Sequence, residues 1–180
     1  ISIGGGSGVV IDKRGLIITN HHVIEDASDV RVIFEDGRMY EASIVGSDRL
    51  TDIGVVKIEN DNLTPINFGN SEGVFVGDLA VAIGHPLTLG AAPTVTTGVI
   101  SALDRRLDVG SEGMNNAVTL FGLIQTDAPI TRGSSGGALL NQKGELIGIT
   151  TAIATADVGA EGLGFAVPIN LALGIVEDIL

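Results

Sequence analysis

Short runs rich in Val, Ile and Thr recur along this chain, each cut off by Gly, Asp or Asn. Val9–Ile11, Leu16–Thr19, Val30–Phe34, Tyr40–Val45 and Ile53–Ile58 form one series. Leu79–Ile83, Thr94–Leu103, Val118–Gln125, Glu145–Ile153 and Gly164–Val167 form a second. β-Branched side chains suit a pleated surface and lose rotamer freedom in a helix. Short strands at this spacing therefore predict an all-β sandwich or a pair of barrels. Asp12-Lys13-Arg14-Gly15, Glu35-Asp36-Gly37 and Asn141-Gln142-Lys143-Gly144 have the composition of hairpin turns. Gly is 26 of 180 residues, about twice its ordinary share, without a collagen period.

Two stretches break the rhythm. Asn60–Gly77 carries Asn, Gly, Ser and Pro65 with few paired apolar positions, and reads as a connection between two β units. Arg105–Asn116 is polar, with Gly110 and Gly113, and reads as a long loop. After Pro168 the pattern changes: Leu171, Ile175 and Ile179 recur at helical spacing, which predicts a helix packed against a barrel through that face. The expected organisation is an N-terminal barrel over 1–66, a connection over 67–77, a C-terminal barrel over 78–168 and a helix over 169–180, the two barrels forming one functional unit.

Composition excludes several classes of function. Ten basic against 22 acidic residues leave a net charge of −12. Such a chain lacks the basic face that nucleic acid or an anionic membrane surface requires. There is no Cys, so thiolate metal sites, disulfides and cysteine nucleophiles are excluded, and without Trp and with 3% aromatics a base-stacking platform is not expected. No His-Glu-x-x-His occurs and the three histidines are poorly spread for zinc, so neither a metal nor a cofactor is expected. No apolar run reaches transmembrane length, and no leader is visible at Ile1-Ser2-Ile3. Charged residues are only 18%, so part of the surface is expected to be apolar or covered by a partner.

Chemistry points to Gly133-Ser134-Ser135-Gly136-Gly137. Glycines let the backbone turn sharply and aim N–H groups at one point, where an oxyanion can be stabilised. A serine hydroxyl needs a base, and the base an orienting carboxylate. His21, His22 and His85 all precede the serine turn. The α/β-hydrolase order places its histidine after the serine, so it fails here. The subtilisin order would use Asp12, but that fold needs many helices. The order His, Asp, Ser remains, which belongs to a double β-barrel of chymotrypsin type. His21 and His22 both lie just beyond an apolar strand, and Asp52 immediately precedes another. A carboxylate entering a buried strand needs hydrogen-bond partners, which an imidazole N–H supplies.

Thr19-Asn20-His21-His22-Val23-Ile24, Asp52-Ile53-Gly54-Val55-Val56-Lys57-Ile58 and Gln125-Thr126-Asp127-Ala128 ahead of the serine turn occur in order. With Gly8–Ile11, Ala82-Ile83-Gly84, Thr97–Ala102 and Gly164–Pro168, they resemble the HtrA/Deg family of trypsin-like serine proteases over nearly the whole chain. The resemblance implies two six-stranded antiparallel barrels with the active site between them. It implies His22 as general base, Asp52 as orienting acid and Ser135 as nucleophile. Gly133, Ser134 and Ser135 match the oxyanion hole, the N–H groups of Gly133 and Ser135 as donors and Ser134 shaping the turn. His21 falls at the variable position of the motif and is expected to be locally bonded; His85 lies in a loop and is not expected to be catalytic.

The family commonly has Asn where this chain has Ser134, and the backbone N–H survives that change. Zymogen-activated proteases carry Asp there, so pairing with the Ile1 amine is not expected. Trypsin-like enzymes select Lys or Arg through a carboxylate six residues before the nucleophile, where this chain has Pro129 followed by Ile130. A pocket walled by Ile130, Ile153 and Ala166 implies small or medium aliphatic residues before the cleaved bond. Thr151, Ala152 and Ile153 match the strand that pairs with extended substrate, and the Thr151 hydroxyl is placed to bond Asp52. Implied substrates are unfolded or misfolded proteins, with a role in protein quality control in the bacterial cell envelope. A homotrimer is also implied; family members often carry a C-terminal PDZ domain, which is expected to be missing from this chain, since it would begin where Leu180 ends it. The alternative implied by the family is a chaperone-like binding module. In that state the loops over Arg105–Asn116, Pro129–Ser134 and Ala154–Glu161 hold the site inactive.

Overall fold

Two antiparallel sheets follow one another along the chain in a computed structural model that describes residues 4–85, 92–109, 118–131, 133–151 and 163–180. The first contains β1 (Val9–Val10), β2 (Leu16–Thr19), β3 (Val30–Ile33), β4 (Met39–Asp48) and β5 (Ile53–Ile58), in the order β1-β2-β5-β4-β3. The second is a closed barrel of β6 (Leu79–Gly84), β7 (Thr94–Val109), β8 (Val118–Thr126), β9 (Ala138–Leu140), β10 (Leu146–Thr151) and β11 (Gly164–Pro168). The double-barrel class is borne out. The first unit differs in detail: among the described residues it has five paired strands and stays open, where six were expected.

Side-chain patterns account for the arrangement. β5 is buried except at Lys57, as its apolar run Ile53–Val56 and Ile58 demands, and lies at the centre of its sheet between β2 and β4. β3 and β4 alternate between exposed and half-buried residues, the signature of strands with one wet face. The three expected hairpin turns join β1 to β2, β3 to β4 and β9 to β10.

Three expectations need correction. β7 runs on to Val109, so Arg105–Val109 is strand, paired with β8 from Leu123 to Val118; Gly110–Asn116 lies outside the described residues. A four-residue helix, α1 (His21–Ile24), follows β2, and β9 follows the serine turn; neither was read as an element from sequence. The C-terminal helix α2 (Ile169–Ile179) forms where expected, but its buried residues are Ile169, Ala172 and Val176, while Leu171 is 40% exposed. Ile175 and Ile179 of the predicted stripe are half-buried against the core, so Leu171 is the residue of that stripe that faces outward.

One apolar cluster spans both sheets. Ile18, Ile53 and Val55 of the first meet Leu146, Ile149 and Val167 of the second, with Ile169, Ala172 and Val176 of α2. The Asn60–Gly77 stretch is tied down on the way, with Ile66 N–H bonded to Val10 O at 3.0 Å and Leu146 N–H to Asn67 O at 2.8 Å. This shared packing fixes how the two sheets face each other, and the candidate site lies along that junction.

Candidate active site

Asp52 stands at the turn between β4 and β5 with φ +58°. Asp adopts this left-handed region more readily than most residues. Its carbonyl accepts from Asn20 Nδ2 at 3.0 Å and from His21 N–H at 3.2 Å, which ties the start of α1 to the turn. The carboxylate accepts His22 N–H at 3.1 Å and faces His22 Nδ1 at 2.9 Å from each oxygen. Across the junction, Thr151 Oγ1 donates to Asp52 Oδ2 at 3.1 Å. Asp52 is 3% exposed, and these donors offset the cost of burying its charge. A carboxylate can only accept, so Nδ1 of His22 carries the proton and Nε2 is left as the basic nitrogen.

The serine turn is built from the other sheet. Ser134 N–H donates to Thr131 O at 2.9 Å and Gly137 N–H to Ser134 O at 2.9 Å. Gly136 N–H bonds Thr150 O at 2.8 Å, and Thr150 N–H bonds Gly137 O at 2.9 Å. Of the three residues matched to an oxyanion hole, Ser134 thus has its N–H committed inside the turn. Gly136 has φ +83°, and a Cβ there would run into Ser7 O and Thr19 Oγ1. A Cβ on Gly84 would lie 2.7 Å from both Cα and Cβ of Ser134. The turn is therefore wedged between the end of β6 and the end of β2, and β2 leads directly into His22.

Ser7 binds these pieces together. Its N–H donates to Ser135 O at 2.8 Å and its hydroxyl to Gly133 O at 2.7 Å. It accepts Thr19 Oγ1 on its carbonyl at 2.7 Å and the His85 N–H on its hydroxyl at 2.7 Å. Ser135 itself is buried.

The remaining candidates divide as follows. His21 bonds Ser47 Oγ through Nδ1 at 2.8 Å and pairs with Glu25 through Nε2 at 3.1 Å, so its imidazole is locally bonded and directed away from Asp52. Ile130 and Ala166 are buried in one apolar cluster, Ile130 lying against Gly164 of β11. Ala152, Ile153 and the whole of the 154–161 stretch fall outside the described residues, as does Ile1. Asn20, Ser7 and Thr150 were not singled out from sequence. Asn20 lies within the Thr19–Ile24 motif and Thr150 adjoins Thr151, but what they bond depends on segments brought together only by folding. A cavity of about 150 Å³, lined by Leu50, Thr51, Leu120, Phe121, Leu123, Val167 and Leu171, is mainly apolar and includes none of the residues that could move a proton.

The first sheet thus carries the His22–Asp52 pair and the second the serine turn. The trypsin-like peptidase domain model matches residues 6–149, and the chain belongs to that family. Its relatives are of the HtrA/Deg type. It is 46% identical over 177 residues to the periplasmic serine endoprotease DegP of Salmonella typhimurium, which covers 97% of this chain and 35% of that protein. It is 46% identical to the serine endoprotease DegS of Haemophilus influenzae, over 97% of this chain and 50% of that protein. Among solved structures, the HtrA-type protease AlgW with a decapeptide superposes with a TM-score of 0.83 at 43% identity, over 97% of this chain and 51% of that one. The serine endoprotease from Yersinia pestis does so with a TM-score of 0.79 at 43% identity, over 97% and 57%. The chain spans between about a third and a half of the length of these curated relatives.

Proposed function

We propose that this chain is a serine endopeptidase domain that hydrolyses peptide bonds through an acyl-enzyme. The observation that carries the proposal is the Asp52 carboxylate, which holds His22 Nδ1 at 2.9 Å while the serine turn docks on the strand end leading into His22. His22 Nε2 takes the Ser135 proton as the hydroxyl attacks the carbonyl, and returns it to the leaving amine. Asp52 holds the tautomer and stabilises the imidazolium. The N–H groups of Gly133 and Ser135 bind the developing oxyanion, each such donor contributing about 3–4 kcal/mol. Water then attacks the acyl carbonyl with the same base.

Pro129 and Ile130 leave no carboxylate at the base of the specificity pocket, and Ala166 adds an apolar wall. This supports cleavage after small or medium aliphatic residues. Thr151, Ala152 and Ile153 would pair with substrate as an added strand, which requires an extended backbone and hence an unfolded or misfolded protein. The relatives' periplasmic names support a place in the bacterial cell envelope. Phe75, Val76, Leu79, Val95 and Val99 form an exposed apolar surface on and beside β6 and β7, which we assign to contacts within a homotrimer.

The test is Ser135→Ala beside the native chain, with an unfolded protein substrate and a fluorophosphonate label. Loss of turnover by several orders of magnitude, with labelling confined to the native chain, supports the mechanism. Turnover retained in Ser135→Ala refutes it. Binding of unfolded protein by a native chain that neither cleaves nor takes the label would favour the chaperone-like module instead.

A further inference from the structure

β10 presents two successive threonines to opposite faces, as alternation along a strand requires. Thr151 reaches Asp52, whereas Thr150 turns to the serine loop and donates its hydroxyl to Ser134 O at 2.7 Å. The acceptor matters because of the peptide to which it belongs. None of the described peptide bonds is cis, so the carbonyl of Ser134 and the N–H of Ser135 point in opposite directions across one rigid plane. Holding that carbonyl toward Thr150 and Gly137 aims the Ser135 N–H to the opposite side of the peptide. Gly137 N–H holds the same oxygen at 2.9 Å, and Ser7 holds the flanking carbonyls of Gly133 and Ser135 at 2.7 and 2.8 Å. Of these holds, the Thr150 hydroxyl is the one side-chain bond to the peptide that carries the Ser135 N–H. Thr150 is 1% exposed, so water does not replace it easily.

We propose that Thr150 is a positioning residue for oxyanion stabilisation, acting through the Ser134–Ser135 peptide. The inference rests on the protease mechanism above and adds to it. Ground-state binding does not use this N–H strongly, so loosening it lowers the rate of the chemical step more than substrate affinity.

The experiment compares Thr150→Val, Thr150→Ala and Thr150→Ser with the native 180-residue chain. Val preserves shape and removes the hydroxyl; Ser restores the hydroxyl. The expected result for Val is a fall in kcat of about tenfold with KM nearly unchanged, smaller than deletion of a donor because the N–H persists. A peptide aldehyde, whose adduct with Ser135 carries the oxyanion, should weaken by the same factor as kcat/KM, and Ser should recover most of the loss. A merely structural role would lower the melting temperature without moving the aldehyde's affinity relative to that of a product peptide. Should Val not fold, the Ala and Ser pair carries the same comparison. Equal kcat in the hydroxyl-bearing and hydroxyl-free variants overturns the role of Thr150 while leaving the protease intact. A native chain that neither cleaves nor takes a fluorophosphonate overturns the mechanism itself.

Discussion

Asp52 meets two demands at once: a left-handed backbone, with φ +58°, and a buried charge facing His22. Asn shares the tolerance for that backbone but has no second acceptor oxygen to hold the imidazole in one tautomer. Asp52→Asn should therefore keep the melting temperature within a few degrees and lower kcat about 10⁴-fold, measured by peptide hydrolysis beside thermal unfolding. Gly84 gives the reverse case, since it does no chemistry. A methyl there would press on Cα and Cβ of Ser134 at 2.7 Å. Gly84→Ala should depress both kcat and thermal stability, and unchanged activity in a folded variant would mean that the turn yields freely. His22, Asp52 and Ser135 stand out in the sequence because the proposed chemistry demands their types. Thr150 and Asn20 were not legible, because a threonine in a strand or an asparagine before a helix has many ordinary uses. Their partners, Ser134 O and Asp52 O, are set by tertiary pairing.

At the level of elements, the hairpin turns carry an acid sensitivity. Asp12 is held below its ordinary pKa of 3.8 chiefly by the hydrogen bond from the Arg14 side chain, and Asp36 likewise by the Arg38 backbone N–H. A carboxyl with a lowered folded-state pKa stabilises the fold at pH values above its unfolded value and loses that contribution as pH falls through the folded one. Asp12→Asn should thus be less stable than the native chain at neutral pH, with the gap in melting temperature closing below about pH 4. A gap that persists in strong acid would exclude the Arg14 bond as its source. Helix α2 responds to apolar burial instead: Ile169 is fully buried, and Ile169→Ala should cost about 2–5 kcal/mol in denaturant unfolding. The strands of the first sheet and the three turns were legible because alternation and Gly-containing turns are local signals. β9 is only Ala138–Leu140, too short for a period to register. In α2 the helical stripe is legible at Ile175 and Ile179, which pack against the shared core, and fails at Leu171, because Ile169, Ala172 and Val176 take the most buried positions.

For the molecule as a whole, the low charged fraction anticipated an apolar surface, and β6 with β7 supplies one. Phe75 is 70% and Val76 64% exposed at the approach to β6, beyond what isolated surface residues need explaining. If this surface holds the proposed homotrimer together, paired substitution of both by Ser should shift the chain to a smaller species in sedimentation velocity; an unchanged species would refute that assignment. The site itself divides between two stretches of chain. His22 and Asp52 come before the exposed Asp61–Asn62 step, and Ser135, Thr150 and Thr151 come after it. On the proposed mechanism, a nick at that step leaves the base and its carboxylate on one fragment and the nucleophile on the other, so neither fragment alone should hydrolyse a peptide, and hydrolysis regained on mixing the two would show that the shared core reunites them.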